Sequence, residues 1–584
     1  MKVLKMKRLT RYLTQYKKEI VLAPGLKLAE ALMDLLSPLV VAAIINKGIG
    51  GGNRGFVVLC FVCLMAFGIL GMAFSFAAQW FAAKASVGFA AKLRQALMEH
   101  IQTLSYTEID SVGTDTLITR MTSDVNQVQN GLNLALRLLL RSPFIVFGAV
   151  IMAFTIDVKS ALIFAMALPV LSAVVFGIMY RSIPLHAKSQ KALDRLLGKT
   201  RENLGGARVI RAFCREEDEI REFDEANEAV NKLNLFVGRL SAFMNPATYL
   251  IINVATMLLI HVGAIRVNAG HISQGDLVAL YNYMAQIVIE LIKLASLIIS
   301  INKALACARR VSAVLDTETS MRYPERSAPF VETDSAVCFR DVSFSYKDSG
   351  DNAVEHISFE TRKGETIGII GGTGSGKSTV ANLIPRFYDA TEGSVTVNGV
   401  DVKDYAEGEL NSLIGVVPQS ALLFKGSIRE NLLWGKSDAP DEALWEALET
   451  AQAKEIVLGK PDELDFTIEQ GGKNLSGGQR QRLTIARALV KKPEILILDD
   501  SASALDFATD LRLRRAIASL GDMTVFIVSQ RASGVKHADR ILVLDDGKLA
   551  GQGTHGELMA SCEVYRQIYY SQFPEEKEAV GGEA

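Results

Sequence analysis

Residues 365–379 read ETIGIIGGTGSGKST: an apolar run, a glycine-rich turn, then Lys-Ser-Thr. ETIGII has the composition of a buried strand, and the VANLIPRFY that follows is helical in character, so the glycines fall between a strand and a helix. G-x-x-x-x-G-K-S in that setting is a phosphate-binding loop. Gly371, Gly374 and Gly376 let the backbone curl, so that the amides along Gly371, Gly372, Thr373, Gly374, Ser375 and Gly376 turn toward phosphate oxygens, backed by the N-terminus of the helix that carries Thr379. Lys377 places a positive charge at the β and γ phosphates, and the Ser378 hydroxyl can ligate Mg²⁺. A merely flexible glycine loop does not account for Lys-Ser at that point.

A second half of such a site lies downstream. ILILD, residues 495–499, has four branched apolar residues suited to a buried parallel strand, and Asp499 at its end is placed to hold the metal through oxygen or water. Alone, an apolar run ending in aspartate would say little. Paired with the loop, it points to ATP and Mg²⁺ as cofactors.

At 584 residues the chain is too long for one hydrophobic core and must divide into domains. Apolar runs crowd the first half. Six stretches there, near 20–46, 56–82, 131–156, 159–181, 243–267 and 276–303, are long enough to cross a bilayer, for which roughly 20 residues suffice. Lys and Arg gather at the N-terminus and in the 84–129 and 181–240 connections and are sparse in the short loops, which puts both termini in the cytoplasm and makes membrane lipid a partner. The N-terminal MKVLKMKRLTRYLTQYKKE lacks the short apolar core of a cleavable leader and is expected to be retained. A formal net charge of −1 gives no basic face for nucleic acid, which is set aside as a partner. The only CxxC, Cys60 and Cys63, sits inside an apolar run and reads as small hydrophobes rather than zinc or redox ligands.

The expected division is a membrane domain over 1–312, a linker over 313–334 in which the sequence turns polar and proline-bearing, a nucleotide domain over 335–572, and a disordered acidic tail over 573–584. The long cytoplasmic connections keep helical spacing and turn back at the glycine patches DSVGTDT, 110–116, and ENLGGARVI, 202–210. Charged and amide residues within apolar spans usually face a protein interior or an aqueous cavity. Lys27, Glu30 and Asp34 share one helix face, and Asn282, Gln286, Glu290 and Lys293 another. Two readings stand side by side: Lys27 with Glu30 and Glu290 with Lys293 satisfy one another, or Glu30, Asp34, Asn282, Gln286 and Glu290 line a substrate cavity.

Between the two halves of the nucleotide site lies NLSGGQRQRLTIARAL, residues 474–489. LSGGQ, residues 475–479, leading into a helix, is the signature of ATP-binding-cassette proteins, and the chain resembles an ABC exporter half over almost its whole length. The resemblance implies a multidomain fold, an all-α six-helix transmembrane domain fused to an α/β P-loop nucleotide-binding domain. Matched position by position, it implies that Tyr346 stacks on adenine, that Gln419 senses magnesium and the membrane domain, and that Asp506 faces an opposite subunit. It implies too that Ser476, Gly477, Gly478 and Gln479 meet a nucleotide held by that subunit, so that a chain with one phosphate loop and one signature must dimerise. The glycine patches match the coupling helices of the family.

Two positions depart from the family. Where a glutamate normally follows the magnesium aspartate, this chain has Asp500, and where the switch strand TVFIVSQRASGVKHADRILVL, 524–544, normally carries a histidine, it has Gln530. Aspartate reaches roughly an ångström less far, and a misplacement of about 1 Å can cost on the order of 10²-fold in rate. Glutamine can hydrogen-bond a phosphate but cannot take a proton as histidine can. Both changes lie on one nucleotide face while the phosphate loop is intact. This resembles the degenerate-site subunit of bacterial heterodimeric multidrug exporters: binding kept, hydrolysis slow, and an intact LSGGQ to complete the site of a second half-transporter. A bacterial cell-membrane exporter of hydrophobic or amphipathic small molecules is expected. A homodimeric lipid, peptide or siderophore exporter and a nucleotide-sensing regulatory subunit are the alternatives, with no peptidase domain ahead of the first span to favour peptide export.

Overall fold

The structure is a computed structural model that describes residues 7–329, 331–347, 349–501 and 504–576, so the last eight residues of the expected tail lie outside it. The chain divides into two compact units. One holds 1–102 and 115–317, the other 103–114 and 318–584.

The first unit is helical. Six helical spans, Arg11–Ile49, Arg54–Gln102, Thr114–Ile156, Val158–Gly205, Glu216–Asn268 and Gln274–Leu315, are long and apolar enough to cross a membrane. Helices are the form an isolated span must take there, since each satisfies its own backbone groups away from water. The second span buries almost none of its most apolar window within the protein, as a lipid-facing helix should, whereas the sixth buries the most. The core of this unit combines small, branched and aromatic residues: Ala31, Leu35, Val146, Ala149, Phe164, Tyr283 and Ile287. At Gly131 a β-carbon would collide with Ala304, so glycine permits the close approach of two helices there. The sixth helix continues well past residue 303, to Leu315, because Cys307, Ala308, Val311, Val314 and Leu315 recur at spacings of three and four and are all buried.

The second unit contains twelve described strands. These are β1 Ser335–Phe344, β2 Val354–Arg362, β3 Thr366–Gly371, β4 Glu392–Val397, β5 Val400–Asp401, β6 Ile414–Val417, β7 Gly426–Ser427, β8 Thr467–Ile468, β9 Ile495–Asp499, β10 Thr524–Val528, β11 Arg540–Asp545 and β12 Lys548–Gly553. A six-stranded sheet runs β12-β11-β3-β10-β9-β6, parallel except where β12 returns on β11, and an antiparallel sheet runs β2-β1-β4-β5. Both faces of the larger sheet are covered. Along β9 the side chains alternate: Ile495 and Ile497 join the core shared with Phe339, Ile357 and Val395, while Leu496 and Leu498 join the core of the helices around Leu444, Leu448, Leu483 and Ile485. That two-sided burial is why ILILD is apolar at every position before Asp499.

The helical reading of VANLIPRFY holds only in part. The helix is Lys377–Leu383. Ile384 still has helical dihedrals, but Pro385 offers no N–H to continue the ladder and Arg386 turns left-handed, φ 56°, which takes the chain out of the helix.

Candidate functional site

Parallel pairing sets the site. Val528 of β10 lies opposite both Ile369 of β3 and Asp499 of β9, and Val417 of β6 lies opposite Leu498, so four strands end at one level. The crevice beyond the carboxyl ends of such strands is where α/β sheets bind ligands. A cavity of about 350 Å³ opens there, lined by Tyr346, Thr373, Gly374, Gly376, Lys377, Ser378, Thr379, Gln419, Asp499, Asp500 and Gln530.

The loop is shaped for its task by backbone geometry. Gly374 and Gly376 have φ of 83° and 92°, a region in which other residues are strained, and the turn they make delivers the chain into the Lys377 helix. Lys377 is buried, and its ammonium donates to the carbonyl oxygens of Gly371 at 3.0 Å and Gly372 at 2.5 Å and to Ser375 Oγ at 3.3 Å. Gly371, Gly372 and Ser375 therefore hold the lysine rather than line the cavity. Burial pushes the Lys377 pKa down, against the nearby Asp499 and Asp500, which favour the charged form.

Ser378 Oγ donates to Asp499 Oδ1 at 3.1 Å. Burial raises the Asp499 pKa, with the Ser378 hydrogen bond pulling the other way. A hydroxyl and a carboxylate at hydrogen-bond distance, beside the glycine loop, are the oxygen donors Mg²⁺ prefers, so the residues present fit the ion. Tyr346 Oη and Thr379 Oγ1 are 3.1 Å apart, and the Tyr346 ring stands edge-on to Phe344 and Tyr388 at centroid distances of 4.8 and 5.3 Å. Asp500 takes a left-handed backbone, φ 45°, and its N–H donates to the carbonyl of Val528 at 2.9 Å, which ties its position to β10.

The signature lies apart from this cavity. Ser476 caps the Gly477–Val490 helix: its hydroxyl accepts from the Gln479 N–H at 3.3 Å while Gln479 Oε1 accepts from the Ser476 N–H at 3.1 Å. None of Ser476, Gly477, Gly478 and Gln479 lines the cavity of its own chain. Asp506 likewise caps a helix, Phe507–Ala518, accepting from the Thr509 N–H at 2.9 Å, and that hydrogen bond holds its carboxyl below the usual range.

The second unit also contains the Tyr106–Val112 helix from the first glycine patch. Tyr388 Oη donates to Asp110 Oδ2 at 2.6 Å, and the Tyr106 ring lies 4.9 Å from Phe387 and 6.1 Å from Tyr388. Together with the Tyr346–Tyr388 contact, this makes a chain of rings from the nucleotide cavity to that helix.

In the membrane unit both expected pairs form. Lys27 Nζ bonds Glu30 Oε2 at 2.5 Å, and Lys293 Nζ bonds Glu290 Oε1 at 2.9 Å. Sequence reasoning missed what joins them. Arg141 bonds Glu290 Oε1 at 2.8 Å and Asp34 Oδ2 at 2.9 Å, Ser142 Oγ donates to Glu290 Oε2 at 2.7 Å, and Gln286 Nε2 donates to the Asp34 carbonyl at 3.2 Å. The only signal was an arginine in an apolar span, which names no partner. Asn282 is half-buried and donates to the Val278 carbonyl of its own helix. Glu30 and Asp34, with Phe67, Met72, Ser75, Phe76 and Gln79, line a cavity of about 480 Å³, while Gln286 and Glu290 do not.

Residues 20–291 match the family model described as the ABC transporter transmembrane region, and residues 354–503 the one described as ABC transporter. An uncharacterized ABC transporter ATP-binding protein of Mycobacterium bovis is 35% identical over 573 residues, 97% of each chain. The probable multidrug resistance ABC transporter ATP-binding/permease protein YheI of Bacillus subtilis is 35% identical over 485 residues, 82% of each. Among solved structures, a bacterial Atm1-family ABC exporter with ATP bound shares the fold, with a TM-score of 0.77 at 23% identity over 95% of this chain and 98% of that one.

Proposed function

The chain belongs to the ABC transporter family, and from that premise we propose that it is one half of a heterodimeric bacterial exporter whose own nucleotide site binds ATP and hydrolyses it slowly. The nucleotide unit is an ATPase coupled to transport, and the chain is a multi-pass membrane protein. The observation that carries the proposal is that Asp500 and Gln530 line the same cavity as Lys377, Ser378 and Asp499. In this reading the chain sits in the cell membrane with both termini in the cytoplasm.

Tyr346 offers its ring to adenine. The loop at Thr373, Gly374 and Gly376 and the Lys377 ammonium bind the phosphates, and Thr379 keeps Tyr346 in place. Ser378, Asp499 and Gln419 would hold Mg²⁺, which when bound withdraws charge from the β and γ phosphate oxygens. Asp500 has the carboxylate to orient a water but one methylene too few to bring it into line from a backbone pinned to Val528. The Gln530 amide donates to the terminal phosphate and accepts no proton from it. Binding is thereby preserved and the chemical step impaired.

Ser476, Gly477, Gly478 and Gln479 present a capped helix N-terminus, a ready anion site, to the nucleotide of a second half-transporter, and Asp506 faces that subunit. The ring chain Tyr346–Tyr388–Tyr106 supports a coupling role for the Tyr106–Val112 helix. In the membrane unit the cavity beside Glu30 and Asp34 combines two carboxylates with Phe67 and Phe76, a lining suited to a small amphipathic cation. The deciding experiment is ATP hydrolysis by the purified chain, alone and with the subunit that copurifies from its native membrane. Slow turnover alone and fast turnover in the pair are expected. Fast turnover by a verified homodimer overturns the proposal.

A further inference from the structure

The helix Glu563–Gln572 lies near the end of the described residues. Its Tyr565 and Tyr569 are fully buried, in one cluster with Ile370 of β3 and with Ala532, two residues past Gln530. Its last residue reaches the switch loop. The Ala532 N–H donates to Gln572 Oε1 at 2.8 Å, and Gln572 Nε2 donates to the carbonyl oxygen of Gln530 at 2.9 Å. The partners fix the orientation of this amide, because a backbone N–H can only meet its oxygen and a carbonyl only its NH₂. From the other side Ser529 holds the same turn: its N–H donates to the Ile369 carbonyl at 3.0 Å, and its hydroxyl accepts from the Arg531 N–H at 2.9 Å. The helix itself is anchored by Lys536, whose ammonium bonds Tyr569 Oη at 2.5 Å.

We infer that Gln572 is a positioning residue for Gln530: the C-terminal helix clamps the peptide on both sides of Arg531 and so fixes the direction in which the switch side chain enters the nucleotide cavity. The inference rests on the reading that Gln530 meets the terminal phosphate. Because only ATP has that phosphate, the clamp should matter for ATP and not for ADP, a distinction that a general structural role would not produce.

The test measures the affinities of the full-length chain in nanodiscs with Mg²⁺ for fluorescent mant-ATP and mant-ADP. Gln530→Ala should lower the ratio of ATP to ADP affinity. Gln572→Ala, which removes two hydrogen bonds, should lower that ratio by about three- to tenfold with ADP affinity unchanged. Gln572→Glu has the same length, keeps the acceptor for Ala532 and turns a carboxylate oxygen toward the Gln530 carbonyl, so it should lower the ratio at least as far. The double variant Gln530→Ala with Gln572→Ala should fall no further than Gln530→Ala alone. Equal losses for ATP and ADP, or additive losses in the double variant, overturn the inference. So does an unchanged ratio in both Gln572 variants when Gln530→Ala lowers it, which leaves the reading of Gln530 standing. An unchanged ratio in Gln530→Ala removes that reading and the inference with it.

Discussion

Asp500→Glu separates rate from stability. The main chain at Asp500 is held by its N–H bond to the Val528 carbonyl, 2.9 Å, so an added methylene lengthens the side chain from a fixed origin by roughly 1 Å. If reach limits hydrolysis, that ångström returns on the order of 10²-fold in rate, about 2.7 kcal/mol of barrier. The same residue sits at φ 45°, where aspartate is better tolerated than glutamate. The left-handed conformation costs a residue of ordinary size about 1–2 kcal/mol, a strain present in ground and transition states alike, so it lowers stability without opposing the rate. The melting temperature of the nucleotide unit should therefore fall by a few degrees while hydrolysis rises. The assay is phosphate release by the proposed heterodimer, with the catalytic glutamate expected in its second subunit replaced, so that turnover reports on this chain's site. Fast turnover before the change, or a flat response to Asp500→Glu both alone and with Gln530→His, would refute the argument from reach.

Arg141→Met should destabilise the membrane unit by about 3 kcal/mol in thermal unfolding, since it strips a buried guanidinium from Glu290 and Asp34; Lys293 and Ser142, still on Glu290, keep the loss from being larger. Ser476→Ala removes a helix cap, a loss of about 1 kcal/mol measurable in unfolding, and should slow hydrolysis in the site of the other subunit while this chain's own ATP affinity holds. Tyr388→Phe keeps the ring contacts to Tyr346 and Tyr106 and loses only the hydrogen bond to Asp110. Basal hydrolysis should survive and its stimulation by transported compound should drop, read as the ratio of stimulated to basal phosphate release.

The nucleotide site was legible because its chemistry is written in short contiguous runs. A strand, a glycine turn and Lys-Ser are local, and ILILD announces two-sided burial in five residues. Parallel register does the rest, since strands ending at one level must bring Asp499, Gln530 and Gly371 together. The six spans were legible for a similar reason: lipid demands a long apolar run, and composition alone supplies it. Pairing between distant elements was not legible. Gln572 meets Gln530 across 42 residues and Tyr388 meets Asp110 across 278, contacts made by exposed or aromatic side chains that any surface could carry. The end of the phosphate-loop helix was misread because Phe387 and Tyr388 look helical by spacing, while Pro385 decides the backbone.

The polar cluster in the membrane unit shows how far pairing and cavity lining can coexist. Arg141 draws on Glu290 and Asp34 at hydrogen-bond distance and on Glu30 at 3.9 Å, so three carboxylates share it, with Lys27 and Lys293 completing the charge balance. These carboxylates are not equivalent. The side chain of Glu290 is 5% exposed and that of Glu30 14%, whereas Asp34, which borders the cavity together with Glu30, is 47% exposed. Withdrawing Glu290 would leave a buried charge uncompensated; drawing Asp34 toward a cation in the cavity leaves Arg141 with Glu290 still in contact. In the proposed exporter the buried pairs therefore fasten the helices, and the exposed carboxylate is the one free to exchange its protein partner for cargo.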